Sequence, residues 1–186
     1  MLIQPSSEPG TMSFWHGGKL DFYSEVTYKK GRWEYGPGLY LTTNYSVAKK
    51  YSGGGRLFYM ITIKKGTDIT EVSIPVAELN NFVSDFVIKK YQPECKERFE
   101  KFYKNDMVRA EWIQNVFVNN EYLKTNNVNE LNKFLKNHGV DYSMMSRTFG
   151  FDSTMCVLYN TKLIVSSKVV TSKDKIEVFD LPDHFQ

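Results

Sequence analysis

The spacing of apolar residues changes twice along this chain, and that change limits the fold more than any other feature. From about residue 13 to 72 the segments are aromatic, glycine-rich and strand-like. Leu57-Phe58-Tyr59-Met60-Ile61-Thr62-Ile63, bounded by Gly53-Gly54-Gly55 and Lys64-Lys65-Gly66, reads as a buried strand. Leu39-Tyr40-Leu41-Thr42 reads as a shorter strand leaving a Gly36-Pro37-Gly38 turn. Asn44 or Thr43 offers a side-chain oxygen to cap a short helix from Tyr45 to Tyr51, and Gly53 stops it. From about 76 to 138 the spacing becomes three and four. Leu79, Phe82, Val83, Phe86 and Val87 form one stripe on a helix from Glu78 to Tyr91, which Pro93 ends. Phe99, Phe102 and Tyr103 carry the stripe onto a second helix. Val108 to Leu123, with Trp112, Val116 and Phe117 inward, is a third, and Val128 to Leu135, ending at Gly139, a fourth. Strands then return at Met155 to Tyr159, Leu163 to Val165, Ser167 to Val170 and Ile176 to Phe179. Strands, then helices, then strands, without regular βα alternation, predict an α+β fold. Gly53-Gly54-Gly55 lacks the Gly-Lys-Ser/Thr of a nucleotide-binding P-loop, and no Rossmann glycine pattern is present.

A chain of 186 residues fits one domain, read as N-terminal strands (1–75), a helical middle (76–138) and C-terminal strands (139–186). It is long enough to bury a core without metal or disulfide staples. Cys95 and Cys156 are expected to be buried free thiols. His16, His138 and His184 are scattered, without zinc-ligand spacing, so no metal is expected. No apolar run approaches the roughly 20 residues of a membrane span. Met1 to Gly10 lacks a signal peptide's apolar stretch, which predicts a cytoplasmic protein with no membrane partner. The formal charge of +3 falls short of a dedicated nucleic-acid binder's excess. Lysine pairs such as Lys49-Lys50 and Lys89-Lys90 suit solvated faces, or the steering of an anionic ligand.

Two segments carry chemistry. In Ser13-Phe14-Trp15-His16-Gly17-Gly18 a histidine ends an apolar strand before two glycines, which permit close backbone approach by a ligand. In Gly38-Leu39-Tyr40 a tyrosine leaves a glycine turn, and Tyr51 follows eleven residues on, near the end of the capped helix. Two aromatic faces brought together can clamp a flat heteroaromatic ring; equally, both rings can pack in the core.

Together these segments resemble the ADP-ribosyltransferase superfamily, in the branch shared by diphtheria toxin and the poly(ADP-ribose) polymerases. The resemblance rests on His16-Gly17, on Gly38-Leu39-Tyr40, and on Ala48 and Tyr51 of the helix. It covers about 50 N-terminal residues well, the C-terminal strands weakly and the helical middle not at all. It implies a split β-sheet core and NAD as co-substrate. His16 is then implied to hydrogen-bond a ribose hydroxyl, Gly17 to grip the nicotinamide carboxamide through its backbone, and Tyr40 and Tyr51 to sandwich the ring. Ala48 stands where the family often has a serine. The loop Asp21 to Tyr35, with Lys29, Lys30 and Arg32, is implied to cover the site.

The family's late-strand glutamate has no counterpart. Thr154 falls at its place in Ser153-Thr154-Met155-Cys156-Val157-Leu158-Tyr159. Four readings follow: Thr154 replaces the glutamate, Asp152 reaches in from the loop, Glu111 serves from the helical middle, or the chain is inactive. The resemblance implies a mono-ADP-ribosyltransferase of toxin or effector type acting on a protein, RNA or DNA acceptor, with an antitoxin or immunity protein as partner. The alternative is a non-catalytic NAD- or ADP-ribose-binding module of the same fold.

Overall fold

The structure, a computed structural model, describes residues 1–20, 36–52, 57–123, 127–146, 153–182 and 184. Its strands and helices in chain order are β1 (Leu2–Ile3), β2 (Thr11–Gly17), β3 (Leu39–Thr42), α1 (Tyr45–Tyr51), β4 (Phe58–Lys64), β5 (Ser73–Pro75), α2 (Val76–Phe86), α3 (Gln92–Glu100), β6 (Met107–Arg109), α4 (Ala110–Asn120), α5 (Val128–Asn137), β7 (Tyr142–Ser146), β8 (Thr154–Leu158), β9 (Ile164–Val169) and β10 (Lys175–Ile176). Strands at both ends and helices between them make the chain α+β. Among the described residues no helix is long and apolar enough to cross a membrane.

The described residues form two compact units, one built on a sheet and one on helices. The sheet has six strands in the order β7-β8-β3-β2-β4-β9. β2 pairs with β4 along its full length, from Thr11↔Lys64 to Gly17↔Phe58. β3 pairs with β8 from Leu39↔Leu158 to Thr42↔Met155. Between β2 and β3, by contrast, the ladder holds one paired position, Trp15↔Thr42. The sheet is therefore two well-paired halves joined at a narrow seam. Strand alternation puts Trp15, Phe58 and Met60 on one face, where they are buried with Ala48 of α1, Ile3, Val170 and Leu181. Trp15 stacks on Phe58 with centroids 5.3 Å apart, and Tyr45 meets both rings edge-on.

Helix α1 forms over the seven residues expected of it. Asn44 is extended and its side chain accepts the Val47 amide at 2.9 Å, satisfying one of the helix's unpaired donors. Lys49 and Lys50 in the last turn suit the helix dipole. β9 merges two expected strands, with a register irregularity against β4 at Thr62/Ile63. The expected strand from Ile176 to Phe179 is cut to a parallel pairing of β10 with β1, Leu2↔Lys175 and Ile3↔Ile176.

In the helical unit several boundaries differ from expectation. α2 ends at Phe86, not Tyr91, and Lys89–Tyr91 forms a 3-10 turn. Pro93 does not end a helix but lies in the first turn of α3, where its missing N–H costs nothing and its fixed φ fits. α4 begins at Ala110 because Met107–Arg109 instead pairs with Ser73–Pro75 as a two-stranded sheet. α4 buries Ala110, Ile113, Gln114, Val116 and Phe117, so Trp112 lies off the buried stripe and is half-exposed, stacked on Phe102 at 4.7 Å. Phe82, Phe99, Phe117 and Phe134 form the aromatic core of this unit. The turn at Gly36 is anchored within it: Asn132 donates to the Pro37 carbonyl at 3.0 Å. Gly36 has φ +96°, and a Cβ there would lie 2.9 Å from the Gln114 amide nitrogen, so both backbone and space call for glycine. Cys95 and Cys156 are buried free thiols.

Candidate functional site

The seam between β2 and β3 brings the N-terminal motif residues together. Past Trp15↔Thr42 the backbones no longer pair, and the His16 side chain takes over: its Nδ1 lies 2.8 Å from the Tyr40 carbonyl. A carbonyl accepts, so Nδ1 carries the proton and donates. Burial lowers the imidazole pKa from its ordinary value, partly offset by the Tyr40 and Lys19 backbone groups. The ring is therefore neutral at pH 7, and its Nε2 presents a lone pair. That Nε2 is shielded from solvent and meets no hydrogen-bond partner among the described residues. Such a buried acceptor is costly unless something else occupies it. It lies close to the Gly18 backbone, with the Tyr59 ring 6.1 Å from the imidazole.

Gly17 is required by packing. A Cβ there would collide with the Ala48 carbonyl oxygen of α1, with the carbonyl carbon at 2.8 Å and the Ser52 nitrogen at 3.0 Å. The helix backbone thus lies directly on the strand end, and Ala48 is buried beneath it. Tyr40 shares a strand face with Thr42, which pairs with Trp15, so its side chain projects toward the α1 side. It is half-buried, and Gly38 before it is buried. Tyr51 closes α1 and is 64% exposed. The structure thus groups His16, Gly17, Ala48 and the Tyr40 backbone at one end of the seam.

Thr154 is elsewhere. The residue opposite Tyr40 on β8 is Val157, three positions further on, or about 10 Å along a strand. Thr154 is fully buried. Its amide donates to the Thr43 hydroxyl at 2.9 Å, its carbonyl accepts the Thr43 amide at 3.0 Å, and its hydroxyl accepts the His184 amide at 3.2 Å. Asp152 lies outside the described residues, as do Lys29, Lys30, Arg32 and the glycines at 53–55. Glu111 is paired with Arg109 at 3.0 Å in the helical unit. Sequence reasoning missed Tyr59 beside His16, Thr43 beside Thr154, and Ser153, whose buried hydroxyl has no partner among the described residues. Each contact is long-range and leaves no local signature.

The His16 environment has a pH consequence. The folded ring resists protonation while the unfolded ring titrates near 6.5, so the unfolded state binds more protons below that pH. Stability present above pH 6.5 is lost progressively as pH falls below it. Between pH 7.5 and 5.5 the native chain is expected to lose more stability than His16→Gln, measured as the shift in urea midpoint. Equal shifts would contradict the buried neutral ring.

No protein-family model matches the chain, no curated protein matches it, and no solved structure matches it.

Proposed function

We propose that this chain is a mono-ADP-ribosyltransferase of toxin or effector type, with an ADP-ribosyltransferase-like split sheet, that transfers ADP-ribose from NAD to a protein or nucleic-acid acceptor. One observation carries the reading: a buried, neutral His16 whose Nε2 has no hydrogen-bond partner among the described residues at the end of the β2–β3 seam. A lone pair of this kind accepts from a hydroxyl and disfavours an anion, which fits a ribose better than a phosphate or carboxylate. The Tyr40 carbonyl fixes the ring's tautomer and direction, so His16 orients a ligand rather than moving a proton. Glycine at 17 lets α1 close onto the strand end, and Tyr51, 64% exposed at the end of that helix, suits stacking of a flat ring. NAD supplies the reactive bond: its nicotinamide leaves with the bonding electron pair and the acceptor's nucleophile takes its place.

The second reading, a binding module that holds NAD or ADP-ribose without transfer, is favoured by Thr154, which is enclosed and uncharged where the resembled family has a glutamate. Incubating the protein with labelled NAD and a cell extract separates the two. Transferred label that disappears after nuclease identifies a nucleic-acid acceptor; label that disappears after protease identifies a protein. An absence of label with NAD still bound eliminates transfer and leaves the binding module. An antitoxin or immunity partner is the expected companion of an active enzyme made in its own host.

A further inference from the structure

The lysines of this chain are unevenly placed. The helical segment Thr67–Ser143 has more Asp and Glu than Lys and Arg, so the positive excess lies outside it. Within the sheet unit, several stretches of chain meet at the end of the sheet that holds His16. The Gly18 amide donates to the Leu57 carbonyl at 2.8 Å, the Leu57 amide to the Ser52 carbonyl at 3.3 Å, and the Val170 amide to the Phe58 carbonyl at 2.8 Å. Lys19, Lys50, Lys168 and Lys173 stand exposed on these stretches. Residues 15–20, 49–52, 57–60 and 168–174 contain a single carboxylate, Asp174. It is already engaged, paired with the Met1 amino group at 2.7 Å and accepting the Thr171 amide and hydroxyl. Apolar side chains lie exposed beside the lysines. Leu57 is 41% exposed, and Val169, which pairs with Tyr59 as Tyr59 pairs with His16, is 52% exposed.

We propose that this end of the sheet docks a single-stranded nucleic acid, the acceptor of the proposed transfer. Lysines spread over a surface whose one carboxylate is already paired draw a polyanion and neutralise its phosphates. The interleaved apolar side chains favour a nucleic acid over an acidic peptide. A single strand presents phosphates and base faces together, and sites for it combine positive charge along the backbone with apolar surface under the bases. An acidic peptide would need the lysines alone. The surface is continuous with the candidate NAD site, since Lys50 adjoins Tyr51 and Lys19 follows Gly18. A strand held here lies beside the donor. The net charge of +3 is small because the acidic helical segment offsets this surface. The acceptor role rests on the ADP-ribosyltransferase reading; the docking surface itself does not.

Fluorescence anisotropy of labelled single-stranded DNA and RNA oligonucleotides with the full chain tests the surface without NAD. Binding is expected to weaken roughly tenfold between about 50 and 200 mM salt, as about two or three phosphate contacts require. Lys168→Glu combined with Lys173→Glu should weaken it roughly tenfold or more, whereas Lys89→Glu with Lys90→Glu in the helical unit should leave it within about twofold. Leu57→Ser with Val169→Ser should weaken it severalfold at an unchanged salt dependence. No binding of either oligonucleotide by the native chain, or equal losses from the two lysine pairs, overturns the surface. Unchanged affinity after the apolar substitutions overturns recognition of a single strand. The tighter-bound oligonucleotide distinguishes DNA from RNA. Label transfer from NAD then tests the acceptor role. The native chain should label the oligonucleotide, and the Lys168→Glu, Lys173→Glu variant should label it severalfold less with NAD affinity unchanged. Label that reaches proteins of an extract but not the nucleic acid overturns the acceptor role. If the native chain binds no NAD, the ADP-ribosyltransferase reading and the acceptor role fall, while oligonucleotide binding still decides the surface.

Discussion

Gly17→Ala is expected to lower stability by about 3 kcal/mol, the upper end of what overpacking by one methyl group costs. The reason is the nature of the atom in the way. The added Cβ meets the Ala48 carbonyl and the Ser52 amide nitrogen, both helix backbone, not the end of a flexible side chain. Relief requires moving α1 off the strand, which disturbs Ala48 and Tyr45 in the core around Trp15. Chemical denaturation measures the loss, and a change below about 1 kcal/mol would show that α1 is not seated on β2 as described. The same displacement moves Tyr51, so NAD binding should fall with stability.

Trp15→Ala should cost slightly more, about 4 kcal/mol, as large-to-small changes of fully buried aromatics do. The indole stacks on Phe58, takes the edge of Tyr45, and satisfies the Phe179 carbonyl at 2.7 Å. Trp15→Phe separates these contributions. It retains a ring against Phe58 but loses the N–H donor, so it should cost about 1 to 2 kcal/mol. Because the lost bond tethers Phe179, the C-terminal amides of Trp15→Phe should also exchange faster. Equal costs for Ala and Phe would mean that packing is secondary to the hydrogen bond.

Local chemistry made part of this molecule legible. The cap candidates Asn44 and Thr43 marked the start of α1, because a cap acts on neighbouring amides, and Asn44 is the one that caps it. The aromatic and β-branched run Leu57 to Ile63 marked a buried strand, and both faces of β4 are indeed covered. Pairings between distant segments were not legible. β5 with β6 and β1 with β10 involve two or three residues each, too few to impose a pattern. Pro93 was misread because proline terminates one helix and starts another equally well, and its neighbours decide which. Trp112 shares a helical spacing with Val116, but the buried stripe of α4 runs through Ile113 and Phe117 instead.

The candidate site was legible in the same uneven way. His16, Gly17 and Tyr40 were marked by residue type and spacing, and the seam sets the His16 side chain against the Tyr40 carbonyl. The place of Thr154 depended on strand register, which follows from pairing with β3 and from the C-terminal residues. Neither is encoded near Thr154. The neutral state and ring orientation of His16 likewise come from burial and a carbonyl 24 residues away in sequence.

Calorimetric titration of NAD into the native chain and into His16→Ala tests the central claim most directly. Near-UV circular dichroism of both proteins first confirms that each is folded. The native chain should bind one NAD, and the variant should bind roughly 10- to 100-fold more weakly, the range expected when a buried hydrogen-bond acceptor is removed. Binding of equal strength by the two proteins, or no binding by the folded native chain, would contradict the assignment of the seam at His16 as an NAD site.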